Sequence, residues 1–343
     1  MPRVGHVNLA RGFRGGERQT EVLIRELASR GVPQTLVVRS DGELGERFRS
    51  VTDLTVHAIG WPFLHATAAV KGCDVLHAHD GRAPGYTSIA ARRFSVPYVV
   101  TRRIQRPPGR GSRWAYQTAT KLVGLSEGVA EGVRRSTGRT DVGIVPSSAS
   151  SLPVDPVSVA QIKERFRGRF LVVCPAQLVP GQKGQEHLIA AARFLEESGT
   201  LVHVLLLGRG GGEPLFRRLA EGLESVEFGG FVDNLGDYLA AADALALPSL
   251  HEGLGSVLLD AFAAGLPVVA SDIPGVQDIV RDGETGLLVP AADAGALAGA
   301  LLRLHDDSTL RERLARAGLE AAADYTPARM ADRYLSLYRE CVA

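Results

Sequence analysis

Short apolar runs alternate along this chain with longer stretches in which apolar positions recur every three or four residues. The runs at 4–9, 34–38, 51–59, 74–79, 98–101, 121–125 and 142–145 predict strands, and the periodic stretches 17–29, 83–94 and 127–135 between them predict helices. Strands taking turns with helices imply βαβ units and a parallel sheet covered on both faces. The rhythm stops at 146–156, which is rich in Ser and Pro and reads as a linker. It then resumes, with strands expected at 170–175, 202–207, 226–228, 244–247, 267–270 and 286–289. Helices are expected at 184–196, 213–223, 256–264, 294–304 and 310–322. The last periodic stretch, 327–342, starts with a proline, which a first helical turn tolerates. The expectation is an α/β chain of two doubly wound Rossmann-like domains, 1–150 and 151–326, with a cleft between them. The helix over 327–343 would pack back on the first domain.

Length and composition narrow the class without naming it. A chain of 343 residues exceeds one ordinary core and suits two. A net charge of +1 provides no whole-molecule field for nucleic acid, and no nucleic-acid-binding signature is present. Cys73, Cys174 and Cys341 are odd in number and widely spaced, so reduced thiols and a cytoplasmic setting are expected. The first residues lack a signal-peptide pattern, and the longest apolar runs, 201–207 and 261–270, are far shorter than a membrane span.

In open parallel sheets, ligands bind beyond the carboxyl ends of the strands. The segment from Pro248 to Ala270 holds the strongest candidate there. A strand ends near Pro248, Gly253 and Gly255 follow, and a helix is expected to start at Ser256, read as its N-cap. Glycines admit a ligand close to the backbone, and free N–H groups at a helix start attract phosphate. Glu252 precedes the glycines and Asp260 lies one turn into the helix, so two carboxylates flank a phosphate cradle. Such an arrangement suits a sugar nucleotide, which carries hydroxyls at both ends and a diphosphate between. A plain strand–loop–helix turn would account for the glycines alone.

The whole string, Glu252 with Asp260 eight positions on, resembles the Glu–seven-residues–Glu motif of the retaining GT-B glycosyltransferases of group 1, or family 4, type. The resemblance continues through Ala264–Val280 and Asp282–Pro290. It implies the GT-B fold and transfer of a sugar, with retention, from a nucleotide-diphosphate donor such as a UDP- or GDP-sugar. Glu252 would contact the sugar hydroxyls, and Asp260, one methylene shorter than the family's Glu, the ribose. Gly253, Leu254, Gly255 and Ser256 would serve the donor.

Further loops extend the resemblance. Gln177–Gly184 resembles the family's phosphate loop, with Lys183 as the diphosphate lysine and Gln177 where the family has arginine. A fixed cation stabilises the charge that builds as the sugar departs. Arg103 ends the run Val99-Val-Thr-Arg-Arg, where many relatives read Thr-x-His, and is a candidate to supply the missing charge to the diphosphate or to an anionic acceptor. Gly15 and Gly16 resemble the family's N-terminal glycine pair, and Gly208 opens a loop that in relatives lies near the base. His79, Asp80 and Arg102 are candidates for the acceptor, although for His79 and Asp80 a structural hydrogen bond is the preferred reading.

His77 and His79 alternate along one strand face, but no third ligand with supporting spacing is visible, so no metal site is expected. No Asp-x-Asp triplet occurs, and nucleotide departure without a metal or any cofactor is expected. Thr101–Lys121 collects six Arg and Lys around Trp114 and Tyr116 with no acid. That is either a solvated loop or a peripheral contact with anionic lipid at the inner face of the membrane, suited to a lipid-linked acceptor. The partners expected are therefore a nucleotide sugar and a glycan, lipid-linked or small-molecule acceptor, in polysaccharide or lipopolysaccharide biosynthesis. A nucleotide-sugar epimerase or hydrolase on the same fold, or a non-catalytic sugar-nucleotide binder, stays open.

Overall fold

Continuous apolar strands such as Phe-Leu-Val-Val-Cys at 170–174 have no polar face to offer water, so helices must cover both sides of the sheet. The structure, a computed structural model, describes residues 1–48 and 51–343 apart from the side chain of Leu64. Two compact units result, Met1–Ser148 with Tyr325–Ala343, and Ala149–Asp324.

The first unit runs β1 (Val4–Asn8), α1 (Gly15–Ser29), β2 (Gln34–Arg39), β3 (Leu54–Ile59), β4 (Val75–Ala78), α2 (Ala83–Phe94), β5 (Tyr98–Arg102), α3 (Arg113–Gln117), β6 (Lys121–Gly124), α4 (Glu127–Thr137) and β7 (Val142–Ile144). Its seven strands form one parallel sheet in the order β3-β2-β1-β4-β5-β6-β7. The second unit runs α5 (Pro156–Arg165), β8 (Phe170–Pro175), α6 (Gln185–Glu197), β9 (Val202–Leu207), α7 (Glu213–Leu219), β10 (Val226–Gly230), α8 (Leu235–Ala241), β11 (Ala244–Leu247), α9 (Ser256–Ala263), β12 (Val268–Ser271), β13 (Leu287–Val289), α10 (Ala294–Asp306) and α11 (Ser308–Ala322). Its sheet is also parallel, ordered β10-β9-β8-β11-β12-β13.

In both sheets the first strand sits inside and the chain later returns to its other flank. The strand order therefore reverses between β1 and β4, and again between β8 and β11. A reversal of strand order is where an open parallel sheet is expected to offer a ligand crevice.

The last helix, α12 (Pro327–Val342), belongs to the first unit. Thr326 caps it, accepting from Arg329 N, and Met330, Tyr334, Leu335 and Tyr338 are buried in a cluster with Val75, Val99 and Val123 of the sheet. A fully buried side chain of that size contributes roughly 1.5–3 kcal/mol, and Arg30 adds a bond to Asp332 at 2.5 Å.

Four elements depart from the expectation, among them α3, which occupies a stretch read as a loop. Helix α5 begins within the expected linker, capped by Asp155 with Pro156 at its start, and none of its residues is buried. Helix α8 occupies a stretch given no element. Ser256 is the first residue of α9 and not its cap; Gly255 precedes the helix in a left-handed conformation, φ 75°, with no side-chain cap.

Candidate functional site

In the second unit, Lys183 follows β8 and Glu252 follows β11, on the two sides of the reversal in strand order. Lys183 Nζ donates to Glu252 Oε1 at 2.6 Å, and Ser249 Oγ donates to the same oxygen at 2.8 Å. The pair is largely withdrawn from water, with side-chain exposures of 21% and 12%. The loops that carry it are joined through backbone, since Leu250 N and His251 N both donate to Gln182 O. Gly184 (φ 68°) makes the approach possible: a Cβ there would lie 1.9 Å from Pro248 O.

The neighbouring loops close on the same edge. Leu178 N donates to Arg209 O and Gly212 N to Leu178 O, so the loop opened by Gly208 is laced to the loop holding Gln177. Gln185, buried at the start of α6, donates to Gln177 O at 3.0 Å. Beneath the pair, burial pushes the Cys174 thiol up to about 12, with Lys183 pulling the other way, so it remains protonated and inert. The structure thus brings Lys183 and Glu252 together with Gly253, Leu254, Gly255 and Ser256 at the start of α9. Asp260 lies on the same helix but is buried, and its Oδ1 accepts from Ser150 N at 2.6 Å.

In the first unit, Gly15 and Gly16 are the first two residues of α1, whose leading amides have no partner within the helix. Glu17 is turned back, accepting from Arg14 N at 3.0 Å, and burial raises its pKa. Asp80 ties the reversal in this sheet together. Its two oxygens accept from Leu9 N at 2.7 Å and Arg82 N at 3.0 Å, and burial raises its pKa against those bonds. Arg102 turns inward to Tyr116 Oη and the Arg106 carbonyl. Asp80 and Arg102 thereby help to hold their own loops.

Arg103 stays near the strand ends. Its Cδ lies 3.4 Å from where a Cβ on Gly16 would be, and its Nη2 donates to His79 Nδ1 at 3.4 Å. Its Nε and Nη1 are shielded from solvent without a hydrogen-bond partner. His79 is wholly buried, and His6 of β1 supplies the neighbour that spacing along the chain does not reveal. His6, His77 and His79 present ring nitrogens within 4.8 Å of one another. Every ring nitrogen of the three is engaged. His6 meets Gln34 and His79, His77 meets Tyr338 and Thr101, and His79 meets His6 and Arg103. Three ligands are thus in range where the sequence offers two, yet a metal would have to displace this network. Burial lowers all three pKa values, that of His6 to about 4.

Against known proteins, residues 169–307 match the family model described as "Glycosyl transferases group 1". The phosphatidyl-myo-inositol mannosyltransferase of Mycobacterium leprae is 33% identical over 77% of this chain and 73% of its own. The lipopolysaccharide core biosynthesis glycosyltransferase LpsE of Rhizobium meliloti is 30% identical over 94% of this chain and 95% of its own. The chain belongs to the group 1 glycosyltransferases. Its fold is GT-B: the structure of Anabaena HepE in complex with UDP and glucose superposes with a TM-score of 0.87 at 17% identity, over 99% of this chain and 100% of that one.

For a group 1 glycosyltransferase, the chemically equipped edges are those at the two reversals in strand order. A hollow of about 840 Å³ lies elsewhere, among Met1, Asp74, Pro97 and Cys341 at the amino ends of the strands. Sequence reasoning missed His6 and Glu17. The signal for His6 was a histidine between Val4 and Val7 in the first strand; for Glu17, it was an acid placed to form a capping box directly after the glycine pair.

Proposed function

We propose that the protein is a retaining glycosyltransferase that needs no metal ion or cofactor and takes a nucleotide-diphosphate sugar as donor. The observation that carries this reading is the 2.6 Å contact between Lys183 and Glu252 at the strand-order reversal, beside the start of α9. Lys183 carries three donor hydrogens, and an arriving diphosphate competes with Glu252 for them. The released carboxylate then accepts from sugar hydroxyls. Amides of Gly253–Ser256 complete the phosphate cradle, and Gly208 lies toward the base. Asp260 is assigned the ribose, with its bond from Ser150 N to be shared or yielded.

Departure of the diphosphate leaves an oxocarbenium-like sugar. Lys183 and the helix-start amides stabilise the leaving charge, and Arg103 with the Gly15–Gly16 amides is assigned to a phosphate or to an anionic acceptor. The acceptor hydroxyl attacks from the same face, its proton passing to the departing phosphate, which preserves the anomeric configuration. HepE, crystallised with UDP and glucose, supports a UDP-sugar as the first donor to try, and GDP-sugars follow.

The acceptor is a glycan, lipid-linked or small molecule, and His79 is assigned to the acceptor side through Arg103. Relatives named for phosphatidyl-myo-inositol mannosyl transfer and lipopolysaccharide core synthesis support an acceptor in surface-glycan assembly. Peripheral contact with anionic lipid is assigned to the Thr101–Lys121 stretch, where Ile104 and Trp114 are 52% and 38% exposed beside the exposed Arg106 and Arg110. No helix among the described residues is long and apolar enough to cross a membrane.

The test is to incubate the protein with UDP- and GDP-sugars with and without acceptor. One donor should raise the melting temperature, and nucleotide release should require acceptor and survive EDTA. The product's anomeric proton should show the donor's configuration. Inversion, or activity abolished by chelation, would overturn the mechanism.

A further inference from the structure

The polarity of the hydrogen bonds behind Arg103 can be read from one end to the other. Gln34 Nε2 donates to the Ile24 carbonyl at 3.0 Å, an acceptor that cannot reverse its role, so Gln34 Oε1 is the atom facing His6. His6 Nε2, 3.0 Å from that oxygen, must carry the proton. His6 is wholly buried and neutral at pH 7, so its Nδ1 is a bare lone pair. His79 Nε2, 2.9 Å away, must donate to it. His79 is neutral for the same reason, and its own Nδ1 is left bare, to which Arg103 Nη2 donates at 3.4 Å. His77 lies against His79 with ring centroids 3.8 Å apart and is itself held by Tyr338 at 2.6 Å and Thr101 at 2.7 Å, so His79 has little room to turn.

A carboxylate in the place of His79 would hold Arg103 more tightly but cancel its charge. The lone pair of a neutral imidazole holds the guanidinium and leaves the charge whole. Arg103 Nε and Nη1, shielded and without hydrogen-bond partners, are the donors that remain to be used.

We propose that Gln34, His6 and His79 are positioning residues for Arg103, a one-way chain of hydrogen bonds that orients its guanidinium toward an anionic oxygen of the substrate without neutralising it. The proposal rests on the reading that Arg103 serves a substrate phosphate, and adds what sets its direction and charge.

Two experiments test it, and the first needs no activity. Long-range nitrogen–proton correlation spectra of the histidine rings at pH 7.5 should show His6 and His79 as neutral Nε2–H tautomers, and an Nδ1–H form at either overturns the chain. The second is a kinetic cycle. His79→Phe, close in volume, should lower kcat/KM about tenfold in the wild-type background and have no further effect once Arg103→Ala is present. His79→Asn, with Oδ1 near the position of Nδ1, should recover part of the loss. Equal losses from His79→Phe in both backgrounds would show an effect that does not pass through Arg103. Unchanged turnover in Arg103→Ala would overturn the role of Arg103 itself while leaving the tautomers standing. Melting temperatures of each variant separate these outcomes from unfolding, and the ring spectra of the unaltered protein decide the chain if His79→Phe does not fold.

Discussion

Lys183 and Arg103 both stand at the carboxyl ends of a parallel sheet, yet their partners differ in charge. Lys183 is matched by a carboxylate at 2.6 Å, while Arg103 leans on a neutral imidazole at 3.4 Å. A paired cation in a dry place is cheap to keep and must be won by its ligand. An unpaired one costs stability throughout and is ready at once. The difference teaches that two positive groups proposed for anion binding need not be used in the same way. On the proposed reading the lysine would be exchanged between carboxylate and phosphate, and the arginine would only gain a partner.

The largest effect should come from breaking the matched pair. Lys183→Ala should lower kcat about 10²–10³-fold and also lower the melting temperature, because the Glu252 carboxylate is left with Ser249 alone. Adding Glu252→Gln should restore much of the melting temperature and none of the turnover. Calorimetry with nucleotide-release kinetics checks both, and a Lys183→Ala enzyme of normal turnover would end the assignment of the second unit.

The next contrast is acid sensitivity. The buried histidines of the first unit are neutral when folded, and His6 has a folded pKa near 4 against an ordinary 6.5. A lowered histidine pKa means the unfolded chain binds the extra proton first. The stability that His6 contributes is therefore whole above about pH 6.5, falls as pH drops from there, and is gone near 4. For His6 alone the full swing is about 3 kcal/mol. Glu17 and Asp80, raised by burial, work in the opposite sense. Both tryptophans, Trp61 and Trp114, lie in the first unit, so their fluorescence reports its unfolding. The urea midpoint followed by tryptophan emission should fall between pH 7.5 and 5.5, and a flat profile would contradict neutral buried rings.

Arg103→Ala is the counterpart of the lysine variant. It should cost about 10–100-fold in kcat/KM with a nearly unchanged melting temperature, because no buried carboxylate loses a partner. A large drop in melting temperature would reveal a dependence on a neighbouring acid, with Glu17 the first to suspect. The smallest change is expected from Glu340→Ala. It removes an ion pair with Lys121 whose members are 36% and 52% exposed, and exposed pairs contribute under about 1 kcal/mol. Kinetics and melting temperature should both barely move.

The strands were legible because each is an apolar run, and most helices because one face repeats. Helix α5 escaped since none of its side chains is buried, so it carries no apolar stripe. Helix α8 has seven residues, too few to establish a period. At the site, Lys183 and Glu252 were visible through their loops. A structural hydrogen bond was already the preferred reading for Asp80, whereas the tyrosine and carbonyl that Arg102 meets were not visible, because a charged residue at a strand end looks the same whether it faces a ligand or its own loop. His6 was hidden by distance along the chain, since it meets His79 from 73 positions away.

The glycine at 184 has a consequence for how the second unit senses its ligand. Gln182 O grips two amides of the opposite loop, and a Cβ at residue 184 would meet Pro248 O at 1.9 Å, so the two loops are held directly against each other. A pull on the lysine end should be felt at the glutamate end. Nucleotide diphosphate alone, without any sugar, should therefore already set the stance of Glu252.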